Sequence, residues 1–380
     1  MFLRVMCIAM MLSVSTVARA MTLSDQLLSP SFLASQGALV ATGFEDALSW
    51  TQNPAQLAAA YTPHLSVGTF LIYPRLNPKP AEKSARGASV IGFNAPRVFT
   101  GVFGFALSMP LGQNVWVDTG SRESSALFGL SRITAFSLAL GWAKELGDGW
   151  SAGLQIPILF RSNTITDIYL VEDDPWARAR SGVMPYFGWH LGVKKTFSPD
   201  SHLAISYREE QASKIEFAVK GEVDFAGAGL PLDAAGISEI LFEPRRVDLR
   251  YQLKVSDWHL GFFTRWSHWM SAPKLGLVID SENPEMSTNP SRIRWQNQIE
   301  AATSVARTWG RWTPVGSYRY RTKAVKSSDD YLDYNEHIIA GGANVEVLHE
   351  QLWLASAVRW HKLVGGGDLV SVLASLDWAL

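Results

Sequence analysis

The sequence predicts an all-β fold, a transmembrane antiparallel up-and-down β-barrel of about fourteen strands preceded by an N-terminal plug, or hatch. Three observations predict it. Short runs from about residue 65 to residue 380 alternate apolar and polar residues, the joints between them are by turns tight and long, and the 15 Trp gather near run ends.

The alternation is clearest over 247–255. Val247, Leu249, Tyr251, Leu253 and Val255 fall on one face, and Asp248, Arg250, Gln252 and Lys254 on the other. A period of two is a strand with one apolar and one wet face. Similar runs place strands near 65–75, 87–94, 98–109, 127–145, 149–162, 184–197, 201–219, 245–255, 258–279, 291–308, 311–323, 336–348, 351–364 and 368–380. An even number returns both ends to the same side of a bilayer. Tight turns are expected at 95–97, 146–148, 198–200, 256–257, 310 and 349–350, and long loops near 110–126, 163–183, 220–244, 280–290 and 324–335. A β-sandwich offers no reason for long and short joints to alternate.

Composition fits. Hydrophobic residues are 47% of the 380, yet past residue 20 no run approaches the roughly 20 apolar residues of a spanning helix. Trp142, Trp150, Trp258, Trp312, Trp360 and Trp378 stand near strand ends, where aromatic girdles mark the membrane interfaces. A formal net charge of −1 supplies no basic field for nucleic acid.

The ends carry their own signals. Arg4, the apolar run 5–14 and Ala18-Arg19-Ala20 read as a signal peptide over 1–20 that takes Cys7, the chain's one cysteine, with it. In the last strand Val370, Val372, Ala374, Leu376, Trp378 and Leu380 share a face, resembling the C-terminal signal that presents barrels to their assembly machinery, with Leu380 in place of the usual aromatic. Residues 21–63 lack strand alternation and are rich in Ala, Ser and Leu. Fourteen strands enclose more space than their own side chains fill, so this segment is expected as a plug ahead of a barrel over 64–380. Asn53-Pro54-Ala55 supplies a rigid corner to seat it, although Asn-Pro also starts many ordinary turns.

Residues 35–55, SQGALVATGFEDALSWTQNPA, resemble the N-terminal hatch of the FadL-type long-chain fatty acid and hydrocarbon transporters. FGWHLGVKKTFSPDSHLAISYREE at 187–210 is similar to that family's strand pair, and WHLGFFTRWSHW at 258–269 to its Trp-rich central strand. The resemblance implies passive, plug-gated passage of apolar molecules across the Gram-negative outer membrane, with lipid and lipopolysaccharide around the barrel. It also implies a weak point in an early strand, for which Gly101, Gly104 and Pro157 are candidates because Gly and Pro weaken a ladder. A surface scaffold or secretion accessory that binds proteins, and a porin for polar solutes, are the alternatives.

Inward cations are candidates for a carboxylate head, since Arg makes bidentate charge-assisted bonds. On 291–301 the inward set is expected to be Arg292, Arg294, Gln296, Gln298 and Glu300; Arg250 and Arg359, together with Arg208, Lys254 and His361, occupy comparable places. Arg292, Arg294, Arg250 and Arg359 are the ligand candidates, and pairing with Asp248, Glu300 or Glu209 is the competing role. The apolar content of 163–182 and 221–244 suits either a greasy capture groove or packing within the loops. None of the eight His sits beside a motif that names a nucleophile, and no metal-ligand, phosphate-loop or nucleotide pattern occurs. No enzyme activity, cofactor or metal is expected.

Overall fold

The computed structural model describes residues 47–75, 86–111, 115–118, 127–170, 175–179, 183–225, 228–272, 276–281, 294–327, 335–364 and 367–380. Fourteen strands cross the sheet: β1 His64–Arg75, β2 Arg86–Val98, β3 Gly101–Leu111, β4 Leu127–Gly147, β5 Trp150–Leu170, β6 His190–Ser198, β7 Ser201–Arg208, β8 Arg245–Val255, β9 Trp258–His268, β10 Gln298–Arg307, β11 Trp312–Arg321, β12 Glu336–Leu348, β13 Leu352–Leu363 and β14 Gly367–Ala379. Each pairs antiparallel with its sequence neighbours, and β1 pairs with β14 from His64↔Ala379 to Arg75↔Asp368, so the sheet closes into a barrel without an edge.

Alternation assigns the two faces. Along β10, Gln298, Glu300, Ala302, Ser304 and Ala306 are buried while Ile299, Ala301, Thr303 and Val305 are exposed. The same split puts Ile205, Leu249, Phe262, Val358, Val372 and Leu376 outside. An apolar outer face over a polar inner one is what a bilayer demands of a strand. Trp142, Trp150, Trp258, Trp312 and Trp378 lie exposed toward the tight-turn end and Trp360 toward the other, forming the expected girdles. Lys195 lies 5.0 Å over the Trp150 ring and Arg307 5.1 Å over Trp258, placing cations beside the aromatics at the wet boundary.

The tight turns depend on left-handed residues. Asp148 and Gly149 have φ of 49° and 74°, Ser256 57°, Gly310 58° and Glu350 54°. The first turn departs from expectation. Residues 95–97 stay in β2, where Pro96 is absorbed by a register shift, and the reversal falls at Phe99-Thr100, both with positive φ. A bulge tolerates the missing donor of Pro96, so the proline need not end the strand.

The expected long loops are in part strand. Gln211–Phe225 and Ala228–Glu243 form one hairpin, and Gly276–Ser281 adds a third strand to it. β5 runs on to Leu170 and pairs with Pro175–Ala179. The expected loop segment 280–290 lies mostly outside the described residues.

A transverse break runs from β6 to β11 and separates the hairpin Gln211–Glu243 from the lipid belt, while β4 and β5 continue through its level. Pairing stops at 188–189, 209–210, 244, 296–297 and 322–324, and β9 ends in a 3₁₀ turn at Trp269–Ser271. Pro157 sits at this level in β5: it has no N–H to give, and its carbonyl accepts from the Gly188 amide at 2.9 Å. Glutamine side chains serve main-chain groups along the break. Gln211 donates to the Tyr186 carbonyl at 2.6 Å, Gln296 to Lys323 at 3.0 Å and Gln298 to Thr322 at 2.9 Å. They replace ladder bonds that a buried backbone cannot forgo.

Candidate functional site

Residues 47–60 lie against the inner wall of β2–β7. Two short 3₁₀ helices, Ser49–Gln52 and Pro54–Ala59, meet at Asn53, which is fully buried. Asn53 caps the second helix: its Oδ1 accepts from the Ala55 amide at 3.0 Å, and its Nδ2 donates to the Ile205 carbonyl of β7 at 3.3 Å. Pro54 fills the first helical position, where a missing N–H costs nothing.

Apolar packing holds one side of this segment. Leu48, Trp50, Leu57 and Ala58 form a cluster with Val90 of β2, Val102 and Ala106 of β3, and Ala139 and Ala143 of β4. The wall residues are small or glycine for a reason. A Cβ on Gly92 would stand 2.6 Å from Leu48 Cδ2, and one on Gly104 2.7 Å from Trp50 Cε2. Gly141 receives Trp50 in the same way, Gly153 receives the Pro54 carbonyl and Gly192 the Asn53 side chain. Five strands thus each give up a side chain where the segment presses. Burying Trp50, Leu48 and Leu57 contributes about 1.5–3 kcal/mol apiece.

The other side is polar. The Gln52 carbonyl accepts from Arg250 Nη1 at 3.1 Å and from Ser206 Oγ at 3.3 Å. Ser151 Oγ donates to the Ala55 carbonyl at 3.3 Å, and the Ala47 amide donates to Ser66 Oγ at 2.7 Å. Ser66 in turn donates to Asp377 of β14, which also accepts from Ser375 at 3.0 Å, so the segment is tied to the pair of strands that closes the barrel.

Arg250 opens a buried ionic chain along the inner wall from β8 to β11. Its Nη2 binds Asp248 at 2.8 Å, Arg265 binds the same carboxylate at 2.7 and 2.8 Å, Arg265 stands 3.9 Å from Glu300, and Arg319 pairs with Glu300. Phe263 lies among these guanidiniums, with Arg250 and Arg265 each 5.1 Å and Arg319 5.5 Å from its ring centroid. Buried charges are tolerated when each has both an opposite charge and hydrogen bonds, and this chain supplies both. Farther round, Arg321 holds Glu336 at 2.5 Å and His361 stands 3.4 Å from the same carboxyl.

The four cations expected from the sequence separate. Arg250 is fully buried between Asp248 and Gln52, and Arg359 is buried on the inner face of β13. Arg294 is exposed above the transverse break, in a short pairing of Arg294 with Ser327. Arg292 lies outside the described residues. The expected inward register over 291–301 holds for Gln298 and Glu300 and ends at the break, because 296–297 leave the ladder and the alternation restarts beyond them. Gly104 serves as the seat of Trp50, and the β3 ladder to β4 runs unbroken through it. Among the described residues no group of His, Cys, Asp and Glu could hold a metal ion. The residues that sequence reasoning missed are the glycines of β2–β6, Ser66 with Asp377, and Gln155 with His190. Only the clustering of Gly within strand-like runs hinted at the first set.

A closed barrel with an apolar belt, aromatic girdles and its own leading segment seated inside defines the molecule as a plugged transmembrane β-barrel. Comparison with known proteins agrees. No protein-family model matches the chain, and no curated protein does. Among solved structures it is similar to the CymD monoaromatic hydrocarbon channel, at a TM-score of 0.66 and 11% identity over 93% of this chain and 97% of that one. It is equally similar to a Pseudomonas aeruginosa FadL homologue, at 0.66 and 11% over 92% and 98%, and to the Ralstonia pickettii toluene transporter TbuX, at 0.66 and 11% over 93% and 98%. The chain has the FadL-type barrel fold.

Proposed function

We propose that this protein carries apolar molecules across a Gram-negative outer membrane by diffusion through the barrel, with residues 21–63 as the plug that gates the route and residues 1–20 as a signal peptide. The reading rests above all on the seating of 47–60 in a wall of glycines and small residues, because such a seat has no use in an open bore. It is supported by neighbours whose names are those of hydrocarbon channels and toluene transporters. The physical need is clear: a lipopolysaccharide leaflet resists apolar solutes, and a wet pore gives them no favourable contact. The work is transport and not catalysis. Arg359 on the inner wall, Arg294 above the transverse break and, on the sequence alone, Arg292 are the cations we assign to contact with solute, while Arg250 is engaged with Gln52 and Asp248. Membrane lipid and lipopolysaccharide surround the belt, and the barrel assembly machinery inserts it.

A porin for polar solutes fits less well. Gln52, Arg250, Asp248, Arg265 and Glu300 are all nearly inaccessible, so the bore at their level is filled with protein. Uptake of labelled oleate and of labelled toluene by a deletion strain, with and without the restored gene, tests the proposal. Restored uptake of at least one is expected. Unchanged uptake of both after loss of the protein overturns it.

A further inference from the structure

On the lipid side of the barrel, the charges at the tight-turn ends of the strands are of one sign. Among the described residues, the last two outer-face positions of each strand at that end include Lys144, Lys195 and Arg307 and no carboxylate. The acids of this end lie elsewhere: Asp148 and Glu350 stand in the turns, Asp377 faces inward, and Glu145 accepts from the Tyr61 hydroxyl at 2.7 Å.

Two of those cations flank a notch. The outer face of β5 presents Trp150, Ala152 and Leu154 in turn, and register sets Lys144 of β4 and Val193 of β6 on either side of Ala152, with Lys195 beside Trp150. Ala152 ends at its Cβ between a Trp and a Leu, so the surface is lowest between the two lysines. Trp142 does not fill the gap, because its indole lies over Gly101 of β3 and its N–H donates to the Val98 carbonyl at 3.1 Å. The Lys195 ammonium lies over the Trp150 ring and donates to the Asp148 carbonyl, which leaves two of its three donors. Neither Lys144 nor Lys195 has an ion pair among the described residues. Their backbones are two strands apart, about 9–10 Å, and offset by two residues, about 7 Å, a span that two lysine side chains close around one phosphate.

We propose that this notch on β4–β6 binds the phosphodiester of an anionic phospholipid from the leaflet on the tight-turn side, which is the periplasmic one in bacterial barrels. Lys144 and Lys195 flank the phosphate with charge-assisted bonds while their stems lie along the apolar wall. The acyl chains run up the belt over Leu154 and Val193, both exposed. A zwitterionic head group brings its own cation beside the two ammoniums, so an anionic one is preferred. An aromatic girdle alone gives no such preference, since indoles mark the depth of the interface and not its charge. Trp258 and Arg307 repeat the Trp and cation pair on β9 and β10, 5.1 Å apart, with one cation in place of two. The site depends on the belt lying in lipid and not on any solute in the bore, so absent uptake of oleate and toluene leaves it standing.

The test is native mass spectrometry of the purified full-length protein in detergent, titrated with dioleoyl phosphatidylglycerol and separately with dioleoyl phosphatidylcholine. The first phosphatidylglycerol is expected to bind at least about tenfold more tightly than the first phosphatidylcholine, and Lys144→Gln or Lys195→Gln to weaken it about fivefold each, the effect of one basic residue at an anionic lipid surface. Phosphatidylcholine affinity is expected to stay unchanged in both, Arg307→Gln to leave both lipids unaffected, and Lys144→Arg with Lys195→Arg to keep the preference. Retained heat-modifiable migration on gels shows that each variant is a folded barrel. Equal affinity of the unaltered protein for the two lipids overturns the inference. So does a preference that survives Lys144→Gln with Lys195→Gln, or one that falls as far in Arg307→Gln, because either marks the charge of the whole rim. Displacement of the bound lipid by equimolar inorganic phosphate overturns a lipid as the ligand.

Discussion

Arg250 Nη1 donates to the main-chain oxygen of Gln52 at 3.1 Å while its Nη2 holds Asp248 at 2.8 Å, so one guanidinium joins the plug to the ionic chain on the inner face of β8–β11. A hydrogen bond from a charged donor contributes about 1.5–3 kcal/mol. Arg250→Met therefore removes the charged donor from the Gln52 carbonyl, and the population with the plug undocked is expected to rise about tenfold to a hundredfold. More frequent large openings in planar-bilayer recordings would show it; a conductance trace identical to that of the unaltered protein would count against the latch.

The glycine seat makes a steric prediction. Gly104→Val drives a side chain into Trp50 and Leu57, where even a Cβ is 2.7 and 2.9 Å from them, and overpacking of this kind costs about 1–3 kcal/mol. Chymotrypsin, whose sites ahead of the barrel include Trp50 and Tyr61, should then cut there faster in the variant. Gly316→Ala is the control, because nothing lies within 4 Å of its Cβ; equal cleavage of both variants would deny Gly104 its role.

Removing the largest plug side chain tests the same contact from within. Trp50→Ala empties a site that is 1% exposed, and such truncations cost about 3–5 kcal/mol, here drawn from plug docking. The barrel itself should keep its heat-modifiable migration while protease protection of 47–60 is lost. Loss of both together would mean that plug and barrel form one cooperative unit.

Position in the membrane can be read from one substitution on the outer face of β13. Val358 is half exposed in mid-strand and Ala357 is buried beside it. Val358→Arg should destabilise folding into liposomes by about 2–4 kcal/mol in urea titrations, the cost of an arginine in lipid near the midplane. A cost under 1 kcal/mol would place that face in water and not in lipid.

Much of this architecture is legible in the chain because a barrel strand writes its two environments at a period of two. Val247 to Val255 declares its faces unaided, and five of the turns announce themselves through Gly, Ser-Asp or His-Glu pairs. Three things are not legible. Pro96 reads as a turn, yet a bulge absorbs it. The outer part of the hairpin from Gln211 to Glu243, beyond residue 219, reads as loop because its pairing, Gln211↔Glu243 through Phe225↔Ala228, is settled between segments and not within one. The seat of the plug is the hardest case. Gly92, Gly104, Gly141, Gly153 and Gly192 come from five strands, and only the closed register brings them together under Trp50 and Asn53. Arg294 shows the limit of the periodic argument itself: a parity counted along 291–301 fails once two residues step out of the ladder.

The ring of interrupted pairing from Gly188 to Ala324 has an evolutionary consequence. Outward of it, the hairpin Gln211–Glu243 joins β7 and β8 through residues 209–210 and 244, while β4 and β5 pass through that level as a continuous ladder and the staves keep their own register through β1 to β14. Recombination at that boundary exchanges part of the outward surface without shifting one inner-facing residue to the outside. Selection can thus act on the crown of the molecule while the plug and its cradle are inherited whole.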